Sequence, residues 1–382
     1  MKAIVIGSGA WGLPAAAELA RRDHDVTLID RHGVGNSLSS SLGPTRMWRV
    51  ADPEPLRVRL GLRAVDAMRR LSERSQSTVF LQRGVLWRDD ESLPNLVSTL
   101  GECGIDYTEV EPDDVAKYFP GLRPDGRAAI WQDDAGIVLA AESLRAQHRL
   151  FLAGGGAEMI GRHVAGVDVT ATGLRVSLSD GDVLDADTVV IAAGPGTPGL
   201  LAQLGVNLPL QPYLEQVVHF GDGSRPDATD DFPCLFDGPR GQTPGIYAMP
   251  SPGIGYKVGL DTPLRPFDEA DRDRTPDADR TELLRQRVHR DLTAVTPTVI
   301  DAQICSWTDS PDGAFVIDTL ATGLVVACGD SGEGFKMSAL MGEVLADLAE
   351  GRAPDHDVAA LSMDRFANGL PHRAGPHALG RH

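Results

Sequence analysis

The amino-acid sequence predicts an α/β protein of two domains, the first of which opens with a strand, a glycine turn and a helix. The chain has 382 residues, which is more than one hydrophobic core usually organises. The opening glycine turn is Gly7-x-Gly9-x-x-Gly12, and a second glycine-rich turn lies at residues 329–334. The first domain is therefore expected to combine segments from both ends of the sequence.

The first elements form a strand–helix–strand unit. Lys2–Gly7 is an apolar run typical of a buried strand, and the alanine-rich stretch from Leu13 to about Arg22 is typical of a helix. Pro14 lies in the first turn of that helix, where its missing N–H costs little. Val26–Asp30 is predicted to be the second strand.

The glycine turn in this unit has the spacing of a dinucleotide-binding site. Gly7 would make the tight turn, Gly9 would let the backbone approach a pyrophosphate, and Gly12 would let the helix pack on the strand. The helix N-terminus offers unpaired N–H groups and a positive dipole end to a phosphate. Asp30 closes the second strand, where a carboxylate can accept a hydrogen bond from a ribose hydroxyl. The alternative is a chance cluster of glycines, which the surrounding elements make a weak explanation.

The later elements follow from hydrophobic periodicity and turn residues. Asp180-Gly181 is the turn of a hairpin, and the final helix has apolar residues at positions 337, 340, 341, 344, 345 and 348. Residues 264–279 are rich in Asp, Arg and Pro and are predicted to be a solvated surface excursion. The other predicted elements are a loop at Gly33–Thr45, helices at Leu56–Arg74 and Ser143–Leu152, hairpin strands at Leu174–Leu178 and Val183–Leu184, and buried strands at Thr188–Ala193 and Gly323–Ala327.

Composition restricts the partners and the compartment. The net charge of −18 argues against nucleic acid and against an anionic membrane, both of which require a basic face. The sequence starts directly in a strand, has no apolar run near the ~18 residues that span a bilayer, and has four scattered cysteines. We therefore expect a cytoplasmic protein with reduced thiols, a monomer or small homo-oligomer. No metal-ligand spacing is present, so no metal is predicted.

The choice of nucleotide follows from the second glycine turn. The fingerprint alone does not separate NAD from FAD, but the chain has no second fingerprint for a nicotinamide cofactor. The segment Val325–Lys336 is a strand and glycine loop leading into a helix. Such a distant helix start can face the isoalloxazine ring of a flavin and stabilise its anionic reduced form. The sequence therefore favours FAD, with a nicotinamide dehydrogenase ranked lower.

Four motifs carry a resemblance to a known family. Residues 43–49, GPTRMWR, resemble a Gly-Asp-Thr-Arg-x-x-Arg loop, and the pair YAMP at 247–250 and GYKVG at 255–259 resembles Tyr-Gly-x-Pro with Gly-x-Lys-x-Gly. Residues 305–318, CSWTDSPDGAFVID, resemble a segment with a flavin-linking cysteine, and GEGFK at 332–336 resembles Gly-His-Gly-Phe-Lys. Together they resemble the monomeric sarcosine oxidase and N-methyltryptophan oxidase branch of the D-amino-acid-oxidase-like flavoproteins, over residues 2 to about 366.

The resemblance implies a fold and a domain division. It implies a discontinuous Rossmann-like FAD-binding domain and a substrate domain built on a mixed, largely antiparallel sheet with helices. The expected FAD-binding segments are residues 1–80, 141–212 and 302–370. The expected substrate domain comprises residues 81–140 and 213–301, and residues 371–382 are expected to be a flexible tail.

The resemblance also implies roles for single residues. Cys305 would form a thioether to the flavin 8-methyl group, Arg49 and Lys336 would bind a substrate carboxylate, and Lys257 would lie over the flavin and help to reduce dioxygen. Tyr247 would line the substrate pocket, and Trp307 is placed near the flavin as a pocket residue. The full set of expected cofactor contacts is Gly7, Gly9, Ala10, Trp11, Gly12, Asp30, Arg31, Thr45, Arg46, Val164, Gly194, Cys305, Gly332, Gly334, Phe335 and Lys336.

The chemistry of these residue types agrees with the implied roles. A guanidinium such as Arg49 binds a carboxylate through two hydrogen bonds. Only four of the 36 basic residues are lysine, and two of these four, Lys257 and Lys336, fall on the motifs. The alternative roles are purely structural: Cys305 would be an inert buried thiol, and Arg46 would anchor its loop.

The predicted function is an FAD-dependent oxidase. It would convert the C–N bond of a secondary amine, imino acid or amino acid carrying a carboxylate into an imine and reduce O2 to H2O2. The alternatives are a flavin-dependent dehydrogenase or desaturase that uses another acceptor, and a nucleotide-binding protein without turnover.

Three positions depart from the family pattern. Glu333 replaces the histidine of Gly-His-Gly-Phe-Lys, Asp261 replaces a histidine that commonly follows the Lys257 motif, and residues 39–42, SSSL, replace a stretch with histidine. If Glu333 and Asp261 face the pocket, they would favour a cationic amine or a substrate with a second basic group. Sarcosine itself is therefore doubtful as the substrate.

Overall fold

A computed structural model describes residues 1–268 and 270–369 of the chain. Its α-helices are α1 Gly12–Arg21, α2 Pro55–Ser75, α3 Leu93–Glu102, α4 Val115–Tyr118, α5 Ala140–Ala153, α6 Thr197–Gln203, α7 Ala278–Asp291, α8 Ser338–Ala349 and α9 His356–Ala359. The predicted flexible tail, residues 371–382, lies outside the described residues.

The strands are numbered in chain order. They are β1 Lys2–Ile6, β2 Asp25–Asp30, β3 Thr45–Trp48, β4 Phe80–Gln82, β5 Val85–Arg88, β6 Thr108–Val110, β7 Ala129–Gln132, β8 Gly136–Leu139, β9 Ala157–Ile160, β10 Val164–Thr170, β11 Gly173–Leu178, β12 Val183–Ala186, β13 Thr188–Ile191, β14 Gln211–Phe220, β15 Cys234–Asp237, β16 Ile246–Ser251, β17 Gly255–Leu260, β18 Arg265–Pro266, β19 Val299–Asp309, β20 Val316–Ala321 and β21 Leu324–Cys328.

A six-stranded sheet carries both glycine turns. Its order is β20-β21-β13-β1-β2-β9, and all neighbours are parallel except the edge pair β20 and β21. Helix α1 packs against α5 and α8, and these helices join the apolar side chains of the sheet in one core cluster. Because β1 and β21 are both parallel to β13 between them, the two turns that follow β1 and β21 meet at the same edge of the sheet.

A nine-stranded sheet forms the second large layer. Its pairings are antiparallel except that of β15 with β5. Helix α7 contacts β14 and β17 and buries Leu284 and Val288 in the core cluster of this sheet. The predicted mixed, largely antiparallel second sheet is confirmed.

Two three-stranded sheets complete the described architecture. The small sheets have the orders β10-β11-β12 and β3-β8-β4.

Strand β19 pairs with β14 along ten positions, so it crosses the predicted domain boundary at residue 302. The predicted division of the chain otherwise stays a prediction.

The elements predicted from periodicity are present in the structure, with ends that differ by a few residues. The predicted hairpin forms β11 and β12. No described helix has both the length and the apolarity that a membrane span requires.

Candidate active site

One cavity of about 420 Å³ joins the edge of the six-stranded sheet that carries the glycine turns to a face of the nine-stranded sheet. All but two of the predicted site residues line it: Gly7, Gly9, Ala10, Trp11, Asp30, Arg31, Arg46, Arg49, Val164, Gly194, Tyr247, Lys257, Cys305, Trp307, Gly332, Gly334, Phe335 and Lys336. The two exceptions contact lining residues: Gly12 packs closely on Gly7, and the Thr45 carbonyl oxygen accepts a hydrogen bond from Lys257.

The close packing of the N-terminal glycine turn requires glycine at two positions. Gly7 has a φ of +105°, and a Cβ atom there would lie 2.3 Å from the carbonyl oxygen of Ala192. A Cβ atom on Gly12 would lie 1.9 Å from the carbonyl oxygen of Gly7, which explains why Gly12 acts through packing rather than contact. The Asp30 carboxylate accepts the backbone N–H of Ser8 at 2.8 Å and stands at the cavity.

The two glycine turns are tied together across the chain. The indole Nε1 of Trp11 donates to the carbonyl oxygen of Gly334 at 2.9 Å, and this hydrogen bond is buried. A Cβ atom on Gly334 would lie 2.6 Å from the Cβ of Asp330 and 3.0 Å from the Trp11 ring. Trp11 therefore fixes the position of the second turn relative to the first.

The predicted flavin-contacting arginine also orders its own loop. The Arg46 guanidinium donates to the carbonyl oxygens of Ser40, Leu42 and Thr45 and lies 5.4 Å from the centre of the Phe335 ring. Arg46 thus anchors its loop, which is the structural alternative considered for it, and its side chain also lines the cavity.

Arg49, Glu333 and Lys336 form a buried cluster at the cavity wall. Arg49 Nη2 donates to Glu333 Oε1 at 2.9 Å, and Lys336 Nζ bonds to Glu333 Oε2. The Arg49 guanidinium also lies 4.5 Å from the centre of the Trp87 ring. Burial raises the pKa of Glu333, but Lys336, Arg49 and Arg57 outweigh it and lower that pKa to about 2. The carboxylate therefore stays ionised between the two cations that were predicted to bind a substrate.

Lys257 lies in a different environment, on the face of the nine-stranded sheet. Its Nζ donates to the carbonyl oxygen of Thr45, and its side chain is buried. Its strand neighbour His219 bonds through Nε2 to the Ser251 hydroxyl at 3.1 Å. Burial, and then the positive charge of Arg46, lower the pKa of Lys257 well below its ordinary value.

Tyr247, Cys305 and Trp307 line the same sheet face. The Tyr247 ring covers Gly259, where a Cβ atom would lie 2.4 Å from the ring. The Trp307 ring packs against Tyr213 with 5.0 Å between ring centres. Burial raises the pKa of the Cys305 thiol, and the nearby Arg46 guanidinium partly opposes this effect.

The three departures from the family pattern have different positions. Glu333 lines the cavity, as do Ser39, Ser40 and Ser41. Asp261 does not: its backbone N–H donates to Gly245 at 3.0 Å, and its carboxylate packs where a side chain of Gly245 would be. Of the two acidic replacements, only Glu333 is thus a pocket residue.

Sequence reasoning missed Glu215, whose buried carboxyl lines the cavity. Glu215 Oε1 accepts from Arg280 Nη2 at 2.7 Å and from the Gln216 N–H at 2.8 Å. Its Oε2 is buried and has no hydrogen-bond partner among the described residues. Burial raises the pKa of Glu215 to about 7, against the effect of Arg280. Alternation along β14, which places Glu215 and Val217 on the same face, could have identified it.

The expectation that residues 264–279 are only a solvated excursion is wrong in part. Phe267 is buried, and Arg272 and Arg274 line the cavity with it. Arg274 lies 5.0 Å from the centre of the Phe267 ring, because an arginine can cover an aromatic ring while keeping its charge near water.

Parallel strands with a glycine turn, a carboxylate at the end of β2 and a cavity that runs on to a second sheet are typical of an α/β dinucleotide-binding enzyme. Gly7, Gly9 and Asp30 line the cavity at the ends of β1 and β2, where a glycine turn and a carboxylate fit the pyrophosphate and the ribose of a bound FAD. A family model described as FAD dependent oxidoreductase matches residues 2–348. The chain belongs to this family of FAD-dependent oxidoreductases.

Similar proteins support the same assignment. The monomeric sarcosine oxidase of Bacillus sp. (strain B-0618) is 27% identical, with 95% of this chain and 96% of the relative covered. The N-methyl-L-tryptophan oxidase of Citrobacter koseri is 26% identical, with 95% and 98% covered. The solved structure of NikD, an amino acid oxidase essential for nikkomycin biosynthesis, superposes with a TM-score of 0.84 at 26% identity and covers 94% of this chain and 96% of that one. The predicted family and fold class are confirmed.

Proposed function

We propose that the enzyme is an oxidase that converts the CH–NH unit of a small secondary amine, imino acid or amino acid into an imine and reduces O2 to H2O2. The observation that carries this proposal is the cavity itself, which is lined by Lys257, Cys305 and the Arg49–Lys336 cluster. The named sarcosine and N-methyltryptophan oxidases, which act on amines, have similar sequences over the whole cavity-forming chain.

When bound, FAD would accept the hydride equivalent from the carbon next to the amine nitrogen and deliver the electrons to dioxygen. The chain would hold the adenosine and pyrophosphate end at Gly7–Gly12 and Asp30. Tyr247 and Trp307 would shape an apolar pocket that excludes water from the reacting carbon. In this arrangement the protein contributes orientation and electrostatics.

Lys257 is proposed as the group that promotes the reaction with oxygen. A buried ammonium stabilises negative charge strongly because few water molecules screen it. The Thr45 carbonyl holds its Nζ at the cavity wall. Because burial lowers the pKa of Lys257, the ammonium is lost at a lower pH than for an ordinary lysine.

Cys305 is proposed as the covalent attachment point for the flavin. Its thiol lines the cavity next to the sheet face that carries Lys257. Forming the thioether removes one hydrogen from the thiol and one from the flavin methyl group, and dioxygen takes up the two electrons.

The function is tested by anaerobic addition of amines, imino acids and amino acids to the yellow holoenzyme. A substrate is expected to bleach the flavin absorbance, and admission of air is expected to restore it with one H2O2 formed per imine. Bleaching without peroxide in air would instead identify a dehydrogenase. If no compound with a CH–NH unit bleaches the flavin, amine oxidation is excluded as the function.

Acid precipitation tests the linkage separately. The wild-type pellet is expected to keep the yellow flavin, and Cys305→Ala is expected to release it into the supernatant. Cys103→Ala is the matched control, because Cys103 is half-buried and does not line the cavity. A colourless wild-type pellet after full flavin loading would exclude the covalent bond and leave the oxidase proposal intact.

A further inference from the structure

Glu333 lies between the side chains of Arg49 and Lys336, the two cations expected to bind a substrate carboxylate. Each of its oxygens faces a different cation: Oε1 accepts from Arg49 at 2.9 Å, and Oε2 is bonded by Lys336. This is the arrangement that an arginine–lysine pair offers to a bound carboxylate. The cluster is therefore complete before any substrate enters.

The cluster is too deeply buried to exchange Glu333 for another carboxylate at low cost. The side chains of Arg49 and Glu333 are each 2% exposed, and that of Lys336 is 6% exposed. A displaced Glu333 would remain a buried carboxylate without its partners, which is strongly unfavourable. It is also tethered three residues from Lys336, so its effective concentration exceeds that of a free substrate.

The charge behind the cluster does not restore a carboxylate site. Asp52 lies 3.3 Å from Arg49 and 3.9 Å from Lys336, and Arg57 lies 3.9 Å from Glu333. Neither Asp52 nor Arg57 lines the cavity, and Arg57 Nη2 donates to the Gly313 carbonyl oxygen at 2.7 Å. Of these five groups, only Arg49, Lys336 and Glu333 line the cavity, and both cations there are already paired with Glu333.

A second wall of the cavity favours an N–H donor. The Glu215 carboxyl is buried there, with one oxygen that has no hydrogen-bond partner among the described residues. A buried acceptor without a partner is costly unless a ligand satisfies it. The free oxygen of Glu215 therefore offers an acceptor to the N–H group of a bound amine.

We propose that Glu333 is an internal substitute for the substrate carboxylate, so that the enzyme oxidises a secondary amine without a free carboxylate beside the reacting nitrogen. This inference rests on the proposed amine oxidation and narrows its substrate class to simple amines, esters or amides. Glu333 is then the residue that determines specificity against amino acids.

Matched pairs of compounds test the inference, namely sarcosine with its methyl ester and L-proline with its methyl ester. The wild-type enzyme is expected to be reduced by the ester at least about tenfold more efficiently, as kcat/KM, than by the acid, since an uncompensated carboxylate forfeits its charge-assisted hydrogen bonds. Glu333→Gln is expected to shift this ratio at least about tenfold towards the acid, because it frees both cations. A wild-type preference for the acids would overturn the inference.

Acetate binding provides a readout that needs no turnover. Calorimetric titration of the holoenzyme with acetate is expected to show binding at least about tenfold tighter in Glu333→Gln than in wild type. Equal affinities would overturn the inference even if no substrate had been found. Conversely, a total lack of flavin bleaching by acids and esters would reject the proposed function while the acetate result still decided the role of Glu333.

Two further variants control for structural damage. Glu333→His is a second replacement in case Glu333→Gln does not fold, and it is expected to shift acetate affinity in the same direction. Asp52→Asn removes the other carboxylate next to Arg49 and is expected to leave the acid-to-ester ratio unchanged, because Asp52 does not reach the cavity. A shift with Asp52→Asn as large as that with Glu333→Gln would show that general loss of negative charge, rather than the position of Glu333, determines the preference.

Discussion

Two buried lysines that line the same cavity have different partners for their side-chain nitrogen atoms. Lys336 is bonded to the Glu333 carboxylate and has Asp52 at 3.9 Å. In contrast, Lys257 Nζ donates to the Thr45 carbonyl oxygen, and no carboxylate of the described residues pairs with it. Burial lowers the pKa of both lysines, but at Lys336 the carboxylates oppose the effect, and at Lys257 the charge of Arg46 adds to it.

This difference separates a region that resists ligand binding from a region whose charge is available to a ligand. A paired ion cluster keeps its charges and resists exchange with ligands, because each charge is compensated inside the protein. A buried ammonium without a carboxylate partner is easily deprotonated and acts strongly on any charge that forms nearby. The region around Lys336 is therefore suited to exclude a substrate anion, whereas the region around Lys257 suits the proposed role of promoting the reaction of the flavin with oxygen.

The largest expected effect comes from removing the carboxylate that distinguishes the two regions. Glu333→Ala leaves Arg49 and Lys336 as adjacent buried cations, so the free energy of unfolding is expected to fall by about 3–5 kcal/mol. Urea unfolding at pH 7 measures this loss. Glu343→Ala is the control, since its pair with Arg70 is partly exposed and is worth at most about 1 kcal/mol. A loss no greater than that of the control would mean that Glu333 does not compensate the cations.

Lys257→Met removes the lysine without a carboxylate partner. The rate of flavin reoxidation by O2 is expected to fall roughly 100-fold, because a preorganised buried charge is lost, while anaerobic flavin reduction changes little. Stopped-flow measurement of the two half-reactions separates these effects. Lys117→Met, which alters an exposed side chain, is expected to change neither rate. Equal slowing of both half-reactions by Lys257→Met would contradict a specific role with oxygen.

The smallest expected effect is a difference in how stability varies with pH. Because the folded-state pKa of Lys257 lies below its ordinary value of 10.5, the unfolded chain binds more protons between these two values. The free energy of unfolding should therefore gain a rising contribution from Lys257 as pH increases through this window. Lys257→Met is expected to lose this contribution, as measured by urea unfolding at several alkaline pH values. Parallel curves for wild type and variant would show that the pKa of Lys257 is not lowered.

Much of the fold was predictable because its signals are local. The unit from β1 to β2 follows from an apolar run, a glycine turn and an alanine-rich helix within thirty residues, and each of these has one dominant conformation. Helix α8 likewise follows from apolar spacing on one face. These segments form the predicted strands and helices because the same residues supply both the local conformational preference and the buried apolar surface.

The contents of the cavity were only partly predictable. The family resemblance predicted Lys257, Cys305 and Arg49 as residues of one site, and all three line the same cavity. The motifs did not identify Glu215, because the direction of its side chain depends on the alternation of β14 in its sheet. They also did not distinguish Glu333 from Asp261 as the pocket residue. Both are acidic replacements in motifs, yet only one faces the cavity.

The sequence by itself thus determined the nucleotide-binding unit, the order of its motifs and the family to which the chain belongs. Only the tertiary structure decided that Glu333 bonds to Arg49, a residue 284 positions away, and that Trp11 holds Gly334 across 323 positions. The physical reason is that local conformation depends on neighbours in the chain, whereas the partner of a buried charge depends on which distant elements pack against it.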